Sequence, residues 1–142
     1  MGCDMRCVVE ALNKKTGQWE CFGVAYGDRN YALFSRIADV RNSEKEDTYI
    51  EPIDAPRGWP ADTSGPADTW HAMSGLPFSD TWLSRVELES LADWLVEKGQ
   101  RGDLWETLGF SHLSSLFALK GGWNKAAFTR YSDLRVLFFF EN

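Results

Sequence analysis

The chain has 142 residues, of which 44% are hydrophobic, and carries a formal net charge of −6 at neutral pH. This length and composition are typical of one globular domain spanning residues 1–142, and they exclude an intrinsically disordered chain. A net negative charge repels phosphate backbones, so direct nucleic-acid binding is disfavoured, whereas encounter with a basic protein surface is favoured.

The cysteines and the apolar runs indicate a cytoplasmic protein without membrane association. The three cysteines are Cys3, Cys7 and Cys21. The N-terminus lacks the basic and apolar regions of a signal peptide, and no apolar run is long enough to cross a bilayer. In a reducing compartment these cysteines are expected to be free thiols.

The first 41 residues predict a hairpin followed by a helix. Apolar residues alternate with more varied neighbours over residues 5–12, which predicts a strand, and residues 18–26 predict its hairpin partner. Asp28 or Asn30 can cap a helix over residues 30–41. The apolar stripe of this helix is formed by Leu33, Ile37 and Val40.

Residues 42–80 contain all five prolines, and their apolar residues follow no sustained helical or strand spacing. A loop of this length inside a compact domain is often functional. Its apolar content predicts an ordered loop wrapped over the domain, with a helical turn near residues 67–73. These apolar residues are Tyr49, Ile50, Ile53, Trp59, Trp70, Met73 and Leu76.

The next segment predicts two helices. Ser84 and Glu87 have the spacing of a capping box, and the helix that they begin should end at Gly99 or Gly102. A second helical stretch is predicted over residues 103–119. Its expected core residues are Leu108, Leu113, Leu116 and Phe117, before a break at Gly121 and Gly122 and a short helix or loop over residues 123–131.

Residues 133–142 are apolar on both faces of a predicted strand, which is typical of an internal strand. We expect this strand to pair with the first strand of the chain. The predicted fold class is therefore α+β, with a short antiparallel sheet made of the N-terminal hairpin and the C-terminal strand. About three helices should pack on one side of it, accompanied by the long proline-rich loop.

Motifs for catalysis, metals and cofactors are absent from the sequence. His71 and His112 are the only histidines, and no zinc, nucleophile-elbow or phosphate-loop spacing surrounds them. Each is expected to be a surface or capping histidine. A spatial Cys–His pair stays open, as does a weak anion site at Gly121 and Gly122. The sequence thus predicts no catalytic residues, no metal and no cofactor.

Acidic and aromatic residues of the long loop are the predicted partner-binding residues. Trp surrounded by charged groups is a composition favoured by interface hot spots, although the same rings could instead pin the loop onto the domain. The candidate residues are Glu44, Glu46, Asp47, Asp54, Trp59, Asp62 and Trp70.

Several segments together resemble a family of small proteins from bacteriophages and prophages. They are the opening Met-Gly-Cys-Asp, the proline segment over residues 53–60, the Thr-Trp-Leu-Ser of residues 81–84, and the ending over residues 135–142. The chain has Arg6 where this family usually has a histidine, and residues 78–81 also lack one. The resemblance implies a phage protein acting in the bacterial host cytosol, and these departures argue against metal catalysis.

These observations favour a non-enzymatic phage or prophage protein that binds and inhibits a host protein. The expected partner has a basic surface, as CRISPR effectors and nucleases do, and the expected role is anti-defence, such as anti-CRISPR activity. The alternative is a small metal- or nucleotide-dependent hydrolase in which Asp4, His71 and Asp80 converge. A virion or assembly accessory protein is the third hypothesis.

Overall fold

The computed structural model describes residues 2–99, 103–114, 117 and 129–142, and its centre is a four-stranded antiparallel sheet. The strand order is β2-β1-β4-β3. The strands are β1 (Asp4–Asn13), β2 (Trp19–Tyr26), β3 (Phe78–Ser84) and β4 (Tyr131–Glu141). The predicted α+β class, the N-terminal hairpin and the pairing of the C-terminal strand with β1 are confirmed.

The main core lies on one face of this sheet. Met5, Cys7 and Val9 of β1 and Phe138 and Phe140 of β4 are all fully buried there. Alternate residues of a strand point to the same face, so the odd-numbered positions of β1 and the even-numbered positions of β4 share this side. Three helices pack on it: α1 (Tyr31–Ala38), α3 (Arg85–Glu97) and α4 (Leu104–Thr107).

The ends of α1 and α3 follow from local chemistry. Asn30 caps α1 by accepting a hydrogen bond from the amide of Leu33, and α1 ends at Asp39, whose φ of 58° is left-handed. The predicted capping box at the start of α3 is present, with Ser84 and Glu87 each accepting a bond from the backbone N–H of the other.

The opposite face of the sheet is covered by α2 (Gly65–Ala72) and the loop around it. Helices therefore lie on both sides, and the prediction of helices on one side was wrong. The helical turn expected near residues 67–73 is present as α2. Val8, Leu137 and Ala67 form a small buried cluster on this face, against which Trp59, Trp70 and Trp82 pack.

Two predicted boundaries differ from the structure. The expected loop over residues 42–80 ends earlier, because β3 begins at Phe78, and the register shift between Phe78 and Thr81 hides the alternation typical of a strand. The helix expected over residues 103–119 stops after α4. Gly109 breaks it with a φ of 93°, at a position where a Cβ atom would lie 2.7 Å from the carbonyl oxygen of Tyr26.

A short 3-10 helix, Ser111–Leu113, follows this break. Leu108, Leu113 and Phe117 are buried, as predicted. The predictions for Gly102, Leu116, the glycine pair at 121–122 and most of residues 123–131 concern positions outside the described residues. Among the helices of the described segments, none combines the length and apolar character needed to span a bilayer.

Candidate functional site

Residues 39–54, named the acidic loop, carry most of the net charge of the protein. They contain six carboxylates and two basic side chains, so they contribute −4 of the formal −6. All six acidic residues are exposed. A patch of one sign raises the local concentration of oppositely charged surfaces and speeds their association. The six are Asp39, Glu44, Glu46, Asp47, Glu51 and Asp54.

One side chain organises this loop. The Asn42 side-chain nitrogen donates to Asp39 at 2.7 Å and to the carbonyl oxygen of Ile50 at 2.6 Å. Its side-chain oxygen accepts from the amides of Ser43 at 2.9 Å and Ile50 at 3.1 Å. Asn42 thus joins the two ends of the segment that carries Glu44, Glu46 and Asp47, so those carboxylates are presented by an ordered backbone.

Further bonds fasten the loop to the helical layer. Arg36 of α1 donates to the carbonyl oxygen of Glu51 at 2.7 Å and accepts at its own carbonyl from the amide of Ile53 at 2.8 Å. Ile53 packs against the main core. Arg41, one of the two cations of the loop, lies over the ring of Tyr31 and donates to Asn142, which directs its charge towards the body of the protein.

An open cleft of about 570 Å³ lies within the acidic loop. Asp39, Asn42, Glu44 and Tyr49 are among its lining residues. The Tyr49 side chain is 44% exposed. Its pKa is raised, first by partial loss of solvent and further by the nearby carboxylates of Asp39 and Glu51.

The seven predicted partner-binding residues fall into two regions. Glu44, Glu46 and Asp47 lie together in the exposed part of the acidic loop, whereas Asp54 is in an ion pair with Arg57 at 3.2 Å. The other three lie over the opposite sheet face: Asp62 accepts from Arg135 at 3.1 Å, and Trp59 and Trp70 are half-buried.

The rings of Trp59 and Trp70 are both engaged within the protein. Trp59 stacks on His71 with 4.3 Å between ring centroids, and Trp70 lies under the guanidinium of Arg6 at 4.5 Å. The alternative that these rings pin the loop onto the domain therefore has direct contacts to support it. Their role in partner binding stays a prediction.

The hydrolase hypothesis required Asp4, His71 and Asp80 to converge. His71 Nε2 lies 2.9 Å from an oxygen of Asp80, so two of the three residues meet. Asp4 instead accepts from Arg29 at 2.6 Å in a separate, largely exposed ion pair. The structure therefore supports a His–Asp pair but not a three-residue centre.

The thiols and the second histidine add no reactive group to this pair. Burial raises the pKa values of the Cys3, Cys7 and Cys21 thiols, which favours their unreactive protonated form. His112 is exposed in the 3-10 helix. In the part of the chain that the structure describes, no three His, Cys, Asp or Glu side chains are placed to hold a metal ion.

Sequence reasoning missed a row of buried charges on the face beneath α2. Glu10 is fully buried, and its ion pair with Arg135 measures 2.8 Å. Arg6 pairs with Glu141 at the same distance. Both arginines lie on rings, Arg135 on Trp19 at 4.0 Å and Arg6 on Trp70. The sequence did contain a signal: Arg6 and Glu10 occupy even positions of β1, where a covered face would be expected to carry apolar residues.

Comparison with protein-family models, curated proteins and solved structures returned no match. Within the described residues, the acidic loop presents six exposed carboxylates on sixteen consecutive positions.

Proposed function

We propose that this protein binds a basic surface of a bacterial host protein through the acidic loop and thereby inhibits it. The observation that carries the proposal is an exposed segment with a charge of −4 whose backbone is fixed by Asn42 and Arg36. A fixed array of like charges gains rate from electrostatic steering and loses little entropy on binding.

The partner class follows from the charge. Proteins that handle nucleic acids expose basic channels, and an acidic protein can occupy such a channel in place of a phosphate backbone. The resemblance to bacteriophage and prophage proteins supports a host nuclease or CRISPR effector as the target, which makes the role anti-defence. The site of action is then the host cytosol.

Capture from a bacterial host lysate, after nuclease treatment, tests the proposal. The immobilised protein should retain a basic protein that is released by added salt or by DNA. Retention should be lost in the variant Glu44→Gln, Glu46→Gln, Asp47→Asn, because these three exposed carboxylates face solvent. Added DNA should release the captured protein, because DNA phosphates compete with the acidic loop for the same basic side chains.

A matched control removes the same charge from another surface. The control is Asp93→Asn, Glu97→Gln, Glu106→Gln, whose three residues are exposed on α3 and α4. The association rate of the acidic-loop variant should fall about tenfold at low salt, and that of the control much less. Equal losses in both variants would show that net charge alone, and not the acidic loop, determines binding.

The order of the loop gives a second prediction. Asn42→Ala should weaken affinity for the captured partner about tenfold, because the carboxylates must then be ordered on binding. The amides of Ser43 and Ile50 should also exchange faster with deuterium. Asn13→Ala is the control. Asn13 ends β1, and its side chain accepts from the amides of Lys15 and Thr16 in the hairpin loop, outside the acidic loop. Unchanged affinity in Asn42→Ala, with faster loop exchange, would contradict the need for a preordered loop.

A further inference from the structure

Residues 59–77, named the strap, cross the sheet face opposite the main core and contain α2. Within α2, Ala67 is the only buried residue. Leu76 and Met73 are 87% and 66% exposed. Beneath it, Val8 and Leu137 are fully buried. The strap is therefore held by the rings of Trp59 and Trp70, which pack against this buried cluster, and by its polar contacts.

These polar contacts are spread along the strap. Ser64 donates its amide to Glu10 at 2.7 Å, and Asp62 accepts from Arg135 at 3.1 Å. His71 meets Asp80 at 2.9 Å, and Ser74 donates to Glu141 at 2.8 Å. The first two reach the same Glu10–Arg135 pair, whereas the other two reach β3 and the end of β4.

Three polar atoms in this layer are buried and unsatisfied. Arg6 Nη1, Trp70 Nε1 and Asp80 Oδ1 have no hydrogen-bond partner within the described residues. Buried polar atoms without partners favour states in which water reaches them. Within the described residues the one other such atom is Arg36 Nε of α1, so the unsatisfied atoms are concentrated in the layer of the strap and lower the stability of its closed state.

The two ends of the strap lie next to each other. Gly58, which precedes the strap, and Ser79, the second residue of β3, both have positive φ, 87° and 52° respectively, and the amide of Gly58 donates to the carbonyl oxygen of Asp80 at 2.8 Å. Next to Gly58, Arg57 is fixed by two bonds to Glu87 and one to the carbonyl oxygen of Trp82. A segment between two such positions can rotate while its anchors stay in place.

We propose that the strap is a lid that opens as a unit about Gly58 and Ser79, with the His71–Asp80 pair as its fastener, while the sheet and the helices of the main core stay folded. Opening uncovers Val8, Leu137 and Phe139, which are fully buried; Phe139 contacts the rings of Trp59 and His71. This inference is independent of the acidic loop.

Hydrogen exchange of the full chain tests the lid. The amides of Asp68 and Met73, bonded to the carbonyl oxygens of Ser64 and Thr69, report on α2. They should exchange about a hundredfold faster than the ladder amides of β1 and β4. Asp80→Asn should speed exchange in α2 a further tenfold or so and leave β1, β4 and α3 unchanged. The control Asp47→Asn, an exposed carboxylate of the acidic loop, should change none of these rates.

The inference is overturned if the α2 amides exchange at the same rate as those of β4, or if Asp80→Asn speeds all three elements equally. Urea provides a second measurement on the unaltered chain. Exchange in α2 should respond to urea with a smaller slope than exchange in β4, because a local opening exposes less surface than global unfolding. Equal slopes would mean that α2 and β4 both exchange through global unfolding, which would contradict the lid.

Discussion

Arg135→Leu is expected to lower the free energy of unfolding by about 3–5 kcal/mol, because it leaves Glu10 buried without its cationic partner. Glu10 is 0% exposed, and its remaining bond is to the amide of Ser64. The variant also loses the contact of the guanidinium with Trp19 at 4.0 Å. Urea unfolding followed by Trp fluorescence measures the change.

Two further variants separate the buried charge from other effects. Removing both charges in Glu10→Leu, Arg135→Leu should recover much of the loss, since an apolar pair of similar volume often replaces a buried ion pair at little cost. Glu89→Ala breaks the half-exposed Arg85–Glu89 pair and should cost less than about 1 kcal/mol. If the double variant is no more stable than Arg135→Leu, the loss in free energy of unfolding comes from packing and not from the unpaired charge.

Acid should destabilise the protein through Glu87. Its pKa falls from 4.5 to about 2, first because of hydrogen bonds from Arg57 and then because of those from Ser84. The folded state therefore binds fewer protons than the unfolded chain in this range. The resulting stability is present above about pH 4.5 and is lost as the pH falls towards 2.

The size of this effect can be measured by comparing Glu87→Gln with the unaltered chain. The Glu87 side chain is 24% exposed, so solvent screening reduces the effect to about 1.5 kcal/mol between about pH 6 and pH 3. Glu87→Gln should be less stable at about pH 6 and lack this part of the acid dependence. Glu89→Gln should retain it. An acid dependence that is the same in both variants would contradict the assignment to Glu87.

The sheet was largely predictable because its signals are local. Apolar residues alternate with more varied neighbours over residues 5–12, and residues 133–142 are apolar on both faces. These two patterns predict the pairing of β1 with β4 that the structure has. The strand β3 was missed because its register shift and the positive φ of Ser79 interrupt the alternation. The capping box at Ser84 was also local, but the contact between Glu87 and Arg57 joins residues thirty positions apart.

The candidate site was predictable in composition and not in geometry. The run of acidic residues after α1 indicated an exposed charged surface, and the side chains of Glu44, Glu46 and Asp47 are exposed. Asn42 can bind both ends of the loop only because the folded chain brings Ile50 back to residue 42. No periodicity or motif records such a contact.

If binding depends on the charge of the acidic loop, association with the partner must depend strongly on salt. The association rate with the captured partner should fall steeply between about 0.02 M and 0.3 M salt, as the screening length shortens. The variant Glu44→Gln, Glu46→Gln, Asp47→Asn should show a much shallower dependence. Parallel salt dependences for the variant and the unaltered chain would contradict the claim.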